Sequence, residues 1–163
     1  MKRWRKVGVL VLASLLVTSS YGGEKEKLRW LTFNEGIAEA KKTGKKVMID
    51  VYTDWCGWCK RMDKDTYADG SITDYLSKKF VAIKLNAESS TTLQYQGRAY
   101  TEQELAAAFG VSGYPSIIFL GKDGEPITVY PGYADANRFG VVLSYIAGDH
   151  YKTTKFKDYA WAK

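Results

Sequence analysis

The apolar run from Val47 to Tyr52 constrains the fold of this chain more than any other segment. Only Asp50 interrupts the run, and Lys46 and Thr53 bound the predicted strand. A strand with one face in water alternates apolar and polar residues, whereas a nearly continuous apolar run is typical of a strand covered on both faces. The chain must therefore supply helices for both faces of one sheet.

Cap and turn signals divide the rest of the chain into further elements. Helices are predicted from apolar residues at helical spacing and from capping residues, and strands from short apolar runs. A capping box formed by Thr101 and Glu104 begins one helix, and Gly110 ends it. We predict helices at 28–44, 56–68, 71–79, 101–109 and 134–147, and strands at 46–53, 80–85, 116–120 and 126–130.

This order of elements predicts an α/β fold with a mixed sheet and helices on both faces. Lys122, Asp123 and Gly124 lie between the last two strands and predict a C-terminal hairpin. The polar segment 89–100 has no periodicity and is predicted to be a loop. Residues 23–150 are predicted to form one domain, and 151–163 a basic, aromatic tail without assigned structure.

The first 22 residues are predicted to be a secretory signal peptide that is cleaved after Gly22. Four basic residues precede the apolar run 7–17, and small residues follow it. The run is shorter than the roughly 20 residues that a spanning helix needs, although an uncleaved anchor is the alternative. We therefore expect a periplasmic or secreted protein. Removal of the leader takes away four basic residues and no acidic one, so the net charge falls from +6 to +2. This weak charge argues against nucleic-acid binding.

The chain has two cysteines, Cys56 and Cys59, which are three residues apart. Exported cysteines persist as disulfides, but a bridge across two residues constrains the unfolded chain very little. A zinc site would need about four ligands, and His150 is the single histidine, so no metal is expected. Haem attachment would need a histidine where Lys60 stands. The pair is thus predicted to be redox-active, with an inert bridge as the alternative.

The position of the pair favours this chemistry, because Cys56 lies where a helix is predicted to begin. Unpaired amides and the helix dipole stabilise a thiolate there, so Cys56 is the expected nucleophile. Cys59 lies on the same helix face and can attack a mixed disulfide at Cys56. Gly57 is expected to allow a tight turn, and Lys60 adds positive charge.

Three segments, taken in order, resemble the thioredoxin superfamily of thiol-disulfide oxidoreductases. The first runs from Asp50 through Trp55-Cys56-Gly57-Trp58-Cys59-Lys60, the second is Val81–Asn86, and the third is Gly110–Ser116. The resemblance covers about 28–148. It implies a thioredoxin-like sheet whose central strands are parallel, with a C-terminal hairpin.

The resemblance also implies roles for residues outside the cysteine pair. Asp50 matches the buried carboxylate of the family, where desolvation raises the pKa and suits the group to be a general base for Cys59. A surface carboxylate on an edge strand is the alternative. Lys84 matches a lysine that modulates this carboxylate, or else is an ordinary solvated lysine. Pro115 matches the cis-proline of the family.

A substrate groove is expected beside Pro115, where the backbone of Tyr114 can pair with an extended substrate segment. Trp55, Trp58 and Tyr114 would supply its apolar rim, although each of these aromatics could instead be ordinary core. No bound cofactor is expected besides the redox-active disulfide of Cys56 and Cys59.

The expected function is disulfide exchange with exported proteins that contain cysteines or disulfides, more as a reductase than an oxidant. A membrane-bound or soluble electron-transfer partner is implied. Trp58 stands where general reductants of this family usually have proline, so an oxidase or isomerase is an alternative. A non-catalytic binding module or chaperone is a third interpretation.

Overall fold

A computed structural model describes residues 27–161. The predicted signal peptide lies outside the described residues. Five strands form one sheet in the order β1-β3-β2-β6-β7, and two further strands, β4 and β5, form a separate hairpin. The strands are β1 Trp30–Leu31, β2 Lys46–Tyr52, β3 Phe80–Asn86, β4 Thr92–Tyr95, β5 Arg98–Thr101, β6 Ser116–Leu120 and β7 Pro126–Pro131.

The predicted buried strand, β2, lies at the centre of the sheet. It runs parallel to β3, with Asp50 opposite Lys84, and antiparallel to β6, with Val51 opposite Ser116. β6 and β7 form the predicted C-terminal hairpin. The predicted fold class, a mixed sheet with parallel central strands, is therefore confirmed.

Helices cover both faces of this sheet. They are α1 Phe33–Thr43, α2 Gly57–Met62, α3 Gly70–Lys79, α4 Glu102–Ala108, α5 Ala136–Ala147 and α6 Phe156–Trp161. A π-helical segment, Asp63–Tyr67, follows α2 directly. Because strand side chains alternate, Met48 packs in the cluster with α3 and α5, whereas Val47, Ile49 and Val51 pack in the cluster with α1 and α4. Asp50 is two residues from Met48, so its side chain lies on the same face of β2, the face covered by α3 and α5.

The predicted helix 28–44 is wrong at its beginning. Thr32 donates its amide and its hydroxyl to the Glu35 carboxylate, at 3.0 and 2.6 Å, and this local cap starts α1 at Phe33. Trp30 and Leu31 instead pair with β3 as a short edge strand. The last turn is as predicted, because Gly44 ends α1 in the left-handed region with φ of 72°.

The predicted loop 89–100 is also wrong, because it contains the hairpin of β4 and β5. Gln96 and Gly97 form its turn, with φ of 50° and 78°. Both central residues of a type I′ turn have positive φ, and this turn matches the twist of paired strands. Leu93 is 3% exposed and packs in the layer of α1 and α4, while most of its neighbours are exposed. β4 has one buried residue and β5 has none, so neither strand produces a periodic signal.

The C-terminal segment, which the sequence left unassigned, packs on α5. A 3₁₀ turn, His150–Lys152, leads to α6. Phe156 lies 5.2 Å from Tyr145, measured between ring centroids, and the Tyr159 hydroxyl lies 3.1 Å from Ser144 Oγ. Tyr151, Phe156 and Tyr159 therefore extend the hydrophobic layer on this face of the sheet.

Candidate active site

Cys56 and Cys59 form a disulfide just beyond the carboxyl end of β2. Cys56 is the N-cap of α2, and its amide donates to Thr53 O at 3.2 Å. The two Cα atoms are 5.3 Å apart, and the residues are 4% and 3% exposed. The strand thus delivers Cys56 to the helix start, and one helical turn brings Cys59 beside it.

The local hydrogen bonding favours negative charge on the first sulfur. The Cys59 amide donates to Cys56 Sγ at 3.0 Å. A backbone donor at a helix N-terminus stabilises a thiolate more than a thiol, because it interacts with the full charge. Lys60 is exposed on the same helix and adds positive charge. When the disulfide is reduced, this arrangement suits Cys56 to be the nucleophile.

Gly57 does not form the tight turn expected from the sequence. Its φ is not positive, and a Cβ built on it would meet no atom within 4 Å. The turn is made instead by residues 53–56, where the Cys56 amide bonds back to Thr53. The backbone at position 57 therefore does not require glycine.

One half-buried lysine joins two carboxylates, one on β2 and one at the end of α2. Asp50 is 1% exposed, and its Oδ2 lies 2.5 Å from Lys84 Nζ. The same Nζ lies 2.6 Å from Oδ1 of Asp63, which follows the last residue of α2. The rings of Trp30, Tyr52 and Tyr67 surround the ammonium at 4.7 to 5.5 Å. Parallel register puts Asp50 beside Lys84, and the packing of α2 on the sheet adds Asp63.

Burial determines how these groups titrate. Desolvation raises the pKa of Asp50, and the charge and hydrogen bond of Lys84 oppose this rise without cancelling it. Burial alone would lower the pKa of Lys84, but Asp50 and Asp63 together raise it. Asp50 Oδ1 has no hydrogen-bond partner among the described residues.

A cavity of about 900 Å³, lined in part by Trp30, Asp63, Tyr67 and Lys84, opens on the outer side of the ion pair.

Trp55 and Tyr114 form one side of an aromatic rim around the disulfide. Trp55 is 67% exposed, and its indole Nε1 donates to Glu88 at 2.9 Å. The Trp55 and Tyr114 rings meet edge to face at 5.9 Å. A large apolar side chain that is exposed and yet held by a hydrogen bond is typical of a binding surface.

Trp58 lies between the two cysteines in the chain and is 55% exposed. Its ring lies 5.3 Å from that of Tyr133, in the loop between β7 and α5. The Arg61 guanidinium stacks over Trp58 and Tyr133 at 5.3 and 5.7 Å. Trp58 is thus placed at the surface rather than in the core.

Pro115 precedes β6, and the Tyr114–Pro115 peptide bond is cis. Pro115 O accepts from the Gly132 amide at 2.8 Å. Because Ser116 lies opposite Val51, Pro115 is at the same edge of the sheet as the loop that carries Cys56. Tyr114 and Pro115 therefore lie close to the loop that carries Cys56, and the contact of Tyr114 with Trp55 agrees with this.

Three residues that the sequence did not single out contact predicted site residues: Asp63 contacts Lys84, Glu88 contacts Trp55, and Tyr133 contacts Trp58. Asp63 follows Cys59 by four residues in a continuous helical run, and this spacing could have revealed it. Glu88 and Tyr133 lie in loops that are distant in sequence from the cysteines, and no local pattern indicates their contacts.

Metal sites and membrane spans can be assessed for residues 27–161. Within this range, no group of three or more histidine, cysteine, aspartate or glutamate side chains could hold a metal ion. In the same part of the chain, none of the helices has the length and apolarity needed to cross a membrane.

Comparison with known sequences identifies the family. The profile of the thioredoxin-like domain matches residues 33–147. The thiol:disulfide interchange protein DsbD of Pseudoalteromonas atlantica is 32% identical over 97 residues, which is 59% of this chain and 15% of that protein. DsbD of Vibrio cholerae is 38% identical over 91 residues, 56% of this chain and 14% of that protein. The chain therefore spans less than a fifth of the length of these relatives.

Solved structures give the same result. A thioredoxin-fold protein from Helicobacter pylori aligns with a TM-score of 0.60 at 25% identity, covering 71% of this chain and 82% of that one. A thioredoxin from Thermus thermophilus aligns with the same score and identity, covering 74% and 88%. The family profile, the aligned structures and the disulfide at the helix start agree that this chain belongs to the thioredoxin-like domain family, within the superfamily of thiol-disulfide oxidoreductases that its sequence resembles.

Proposed function

We propose that this protein is an exported thiol-disulfide reductase that exchanges disulfides with protein substrates. The observation that carries the proposal is the Cys56–Cys59 disulfide at a helix start, and the ion pair of the buried Asp50 with Lys84 supports it. The redox-active group is the cysteine pair itself, and no other cofactor is invoked.

The exchange follows from the positions of the two sulfurs. The Cys56 thiolate attacks one sulfur of a substrate disulfide, a mixed disulfide forms, and the first substrate thiolate leaves. The Cys59 thiol then loses its proton, and its thiolate attacks Cys56 Sγ. The Cys56–Cys59 bond forms, the second substrate thiolate leaves, and both substrate thiolates take up protons. Two electrons pass from the protein to the substrate.

Asp50 is the proposed acceptor of the Cys59 proton. A carboxyl group with an elevated pKa can take a proton near neutral pH and later release it. The burial of Asp50 supplies this elevation, and Lys84 limits it. We propose a reductase and not an oxidase because the arrangement of Asp50 and Lys84 resembles that of reducing thioredoxins more than that of strong oxidants.

The proposed substrate site is the surface of Trp55, Trp58, Tyr114 and Pro115. The exposed indoles can cover apolar side chains that flank a substrate disulfide. The backbone beside Pro115 can pair with an extended substrate segment in the manner of strand addition. Selection would then depend on apolar flanking residues and an extended conformation more than on one particular sequence.

The proposed site of action is the periplasm or the exterior of the cell. The cationic, apolar leader of residues 1–22 supports export. The substrates would be exported proteins with cysteines or disulfides. The relatives named as thiol:disulfide interchange proteins support an electron-transfer partner for this chain, either membrane-bound or soluble.

Insulin disulfide reduction tests the proposed activity. The wild type should reduce insulin in the presence of a thiol reductant, and Cys56→Ser should fall to the uncatalysed rate. Equal activity in the two proteins would contradict the proposal. A double variant with both cysteines changed to serine that retained its biological activity would favour the binding-module interpretation instead.

Equilibration of the cysteine pair with glutathione tests the direction of electron flow. A reductant should have a potential near about −270 mV, whereas a value near about −120 mV would make the protein an oxidant. The oxidase or isomerase alternative would then replace the reductase, with the same residues at the site.

A further inference from the structure

Basic side chains cluster at the edge of the sheet opposite the disulfide. Lys41 and Lys42 lie in the last turn of α1, and Lys78 and Lys79 lie in the last turn of α3. α1 leads into β2 and α3 leads into β3. The first residues of these two parallel strands, Lys46 and Phe80, lie opposite each other, so the two helix ends are close together. We call this cluster the basic pole, and it comprises Lys27, Arg29, Lys41, Lys42, Lys45, Lys78 and Lys79.

Few carboxylates neutralise the basic pole. Lys27, Arg29 and Lys45 line a shallow cavity of about 190 Å³, where Glu39 is the one acidic residue among the described lining side chains. Lys78 pairs with Asp74. Lys41, Lys42 and Lys79 form no salt bridge with any residue between 27 and 161. Asp123 and Glu125 lie in the turn between β6 and β7, and Leu120 of β6 pairs with Val47 of β2, so these two carboxylates adjoin the basic pole on its β6 side.

Helix dipoles account for only part of this pattern. Lysines in the last turn of a helix are stabilised by its negative end, which is reason enough for those of α1 and α3. The Lys45 ammonium donates to Ser77 O in the last turn of α3 at 2.7 Å, but Lys27 and Arg29 precede β1, so the dipole does not explain these two. Their addition turns two helix ends into one continuous cationic surface.

The basic pole is too distant from the disulfide to bind its redox partners. Seven residues of β2 separate the two ends of the sheet, roughly 20 Å at the rise of a strand, and Cys56 lies beyond them. A partner at the basic pole would therefore anchor the domain and leave the disulfide accessible. Lys27 belongs to this surface, so residues 1–26, with their apolar run at 7–17, join the domain there.

We propose that the basic pole binds an anionic phospholipid surface and holds the disulfide pointing away from it. A cluster of lysines close to such a membrane gains binding energy from each charge. The proposed export of the chain favours a membrane over a nucleic acid, because an exported protein meets phospholipid surfaces and few nucleic acids, and the inference rests on that export. The inference does not depend on the redox proposal, since a variant with both cysteines changed to serine should bind equally well.

Vesicle flotation tests this proposal with a chain that begins at residue 23. Both core clusters lie within 28–159, so this chain keeps all of their residues. It should float with vesicles of equal parts phosphatidylglycerol and phosphatidylcholine and not with phosphatidylcholine alone. Added salt should release it, because exposed charges are screened. The triple variant K41Q/K42Q/K79Q should bind about a hundredfold more weakly, at about fivefold for each lysine.

A matched variant controls for net charge. K64Q/R98Q/R138Q loses the same charge from exposed positions outside the basic pole and should bind like the wild type. Equal weakening in both triple variants, or equal binding to both kinds of vesicle, would overturn the proposal. Tight binding to a DNA duplex without binding to the anionic vesicles would overturn it as well.

Discussion

Burial, Lys84 and Asp63 all affect the pKa of the Asp50 carboxyl group. The sheet removes it from water, Lys84 attracts its negative charge, and Asp63 competes for the same ammonium. Desolvation is the largest of these influences and raises the pKa of Asp50. The group is thus suited to exchange a proton during a reaction, whereas a fully compensated ion pair would remain charged.

Asp50→Asn should stabilise the fold at neutral pH while it slows the exchange. The native pKa of Asp50 is raised from about 3.8, so ionisation costs stability as pH rises from about 4 through the native pKa. Asparagine removes that cost, which is about 1.4 kcal/mol for each pH unit between the unfolded and native pKa values. Urea unfolding from about pH 4 to 8 measures the difference, which should grow with pH.

The same variant should reduce insulin roughly a hundredfold more slowly at neutral pH, because the proposed base is lost. Tyr52→Phe serves as the control, because Tyr52 lies on the same strand and the variant keeps Asp50. It should reduce insulin at about the rate of the wild type. A variant as active as the wild type would remove Asp50 from the proposed mechanism, even if the stability prediction held.

Asp63→Asn should lower the pKa of Asp50. The Asp63 charge raises that pKa, and its loss leaves Lys84 to interact with Asp50 alone. The pH dependence of insulin reduction should therefore shift to lower pH. Asp65→Asn removes the same charge two residues away, where the partner is Arg61, and should leave the profile in place. Identical shifts in both variants would mean that net charge, and not the contact with Lys84, is responsible.

At the scale of elements, the hairpin of β4 and β5 behaves as part of the core and not as an appended loop. Its strands expose most of their side chains, yet Leu93 packs in the layer of α1 and α4. Asn34 at the start of α1 also accepts from the Gln94 amide at 3.0 Å. Both contacts tie the hairpin to the helix that covers the sheet beside it.

Leu93→Ala should destabilise the whole domain by about 3 kcal/mol, the usual cost of truncating a buried leucine. Gln94→Ala changes the adjacent exposed residue and should cost less than about 0.5 kcal/mol. Urea unfolding of both variants provides the comparison. If Leu93→Ala were as stable as Gln94→Ala, the hairpin would not contribute to the core.

At the scale of the whole molecule, two hydrophobic layers share one sheet. Phe119 packs in the layer of α3 and α5, and the preceding residue, Ile118, packs in the layer of α1 and α4. Both are fully buried on β6. Because adjacent residues of one strand belong to opposite layers, neither layer can lose its packing while the sheet remains intact.

Ile118→Ala and Phe119→Ala should each lower the free energy of unfolding of the entire domain, by about 3 to 4 kcal/mol. The transitions seen by tryptophan fluorescence and by far-ultraviolet circular dichroism should coincide in both variants, as expected of a single cooperative unit. Separate transitions in either variant would show that the two layers unfold independently.

Local patterns in the sequence determined the elements that carry the chemistry. The apolar run of β2, the capping box of α4 and the cysteines at the start of α2 are all formed by neighbouring residues, so the sequence predicts them directly. The two wrong predictions of secondary structure, at 28–44 and 89–100, arose where pairing between strands outweighed a weak local signal.

Only the tertiary structure decided how the site is completed. Lys84 joins Asp50 to Asp63, and Glu88 holds Trp55, through contacts between segments more than twenty residues apart. Such contacts depend on strand register and on how α2 packs against the sheet, which no local periodicity encodes. The sequence by itself thus determined which sulfurs react, whereas folding decided which charges and aromatic rings surround them, because burial and proximity exist only in the folded chain.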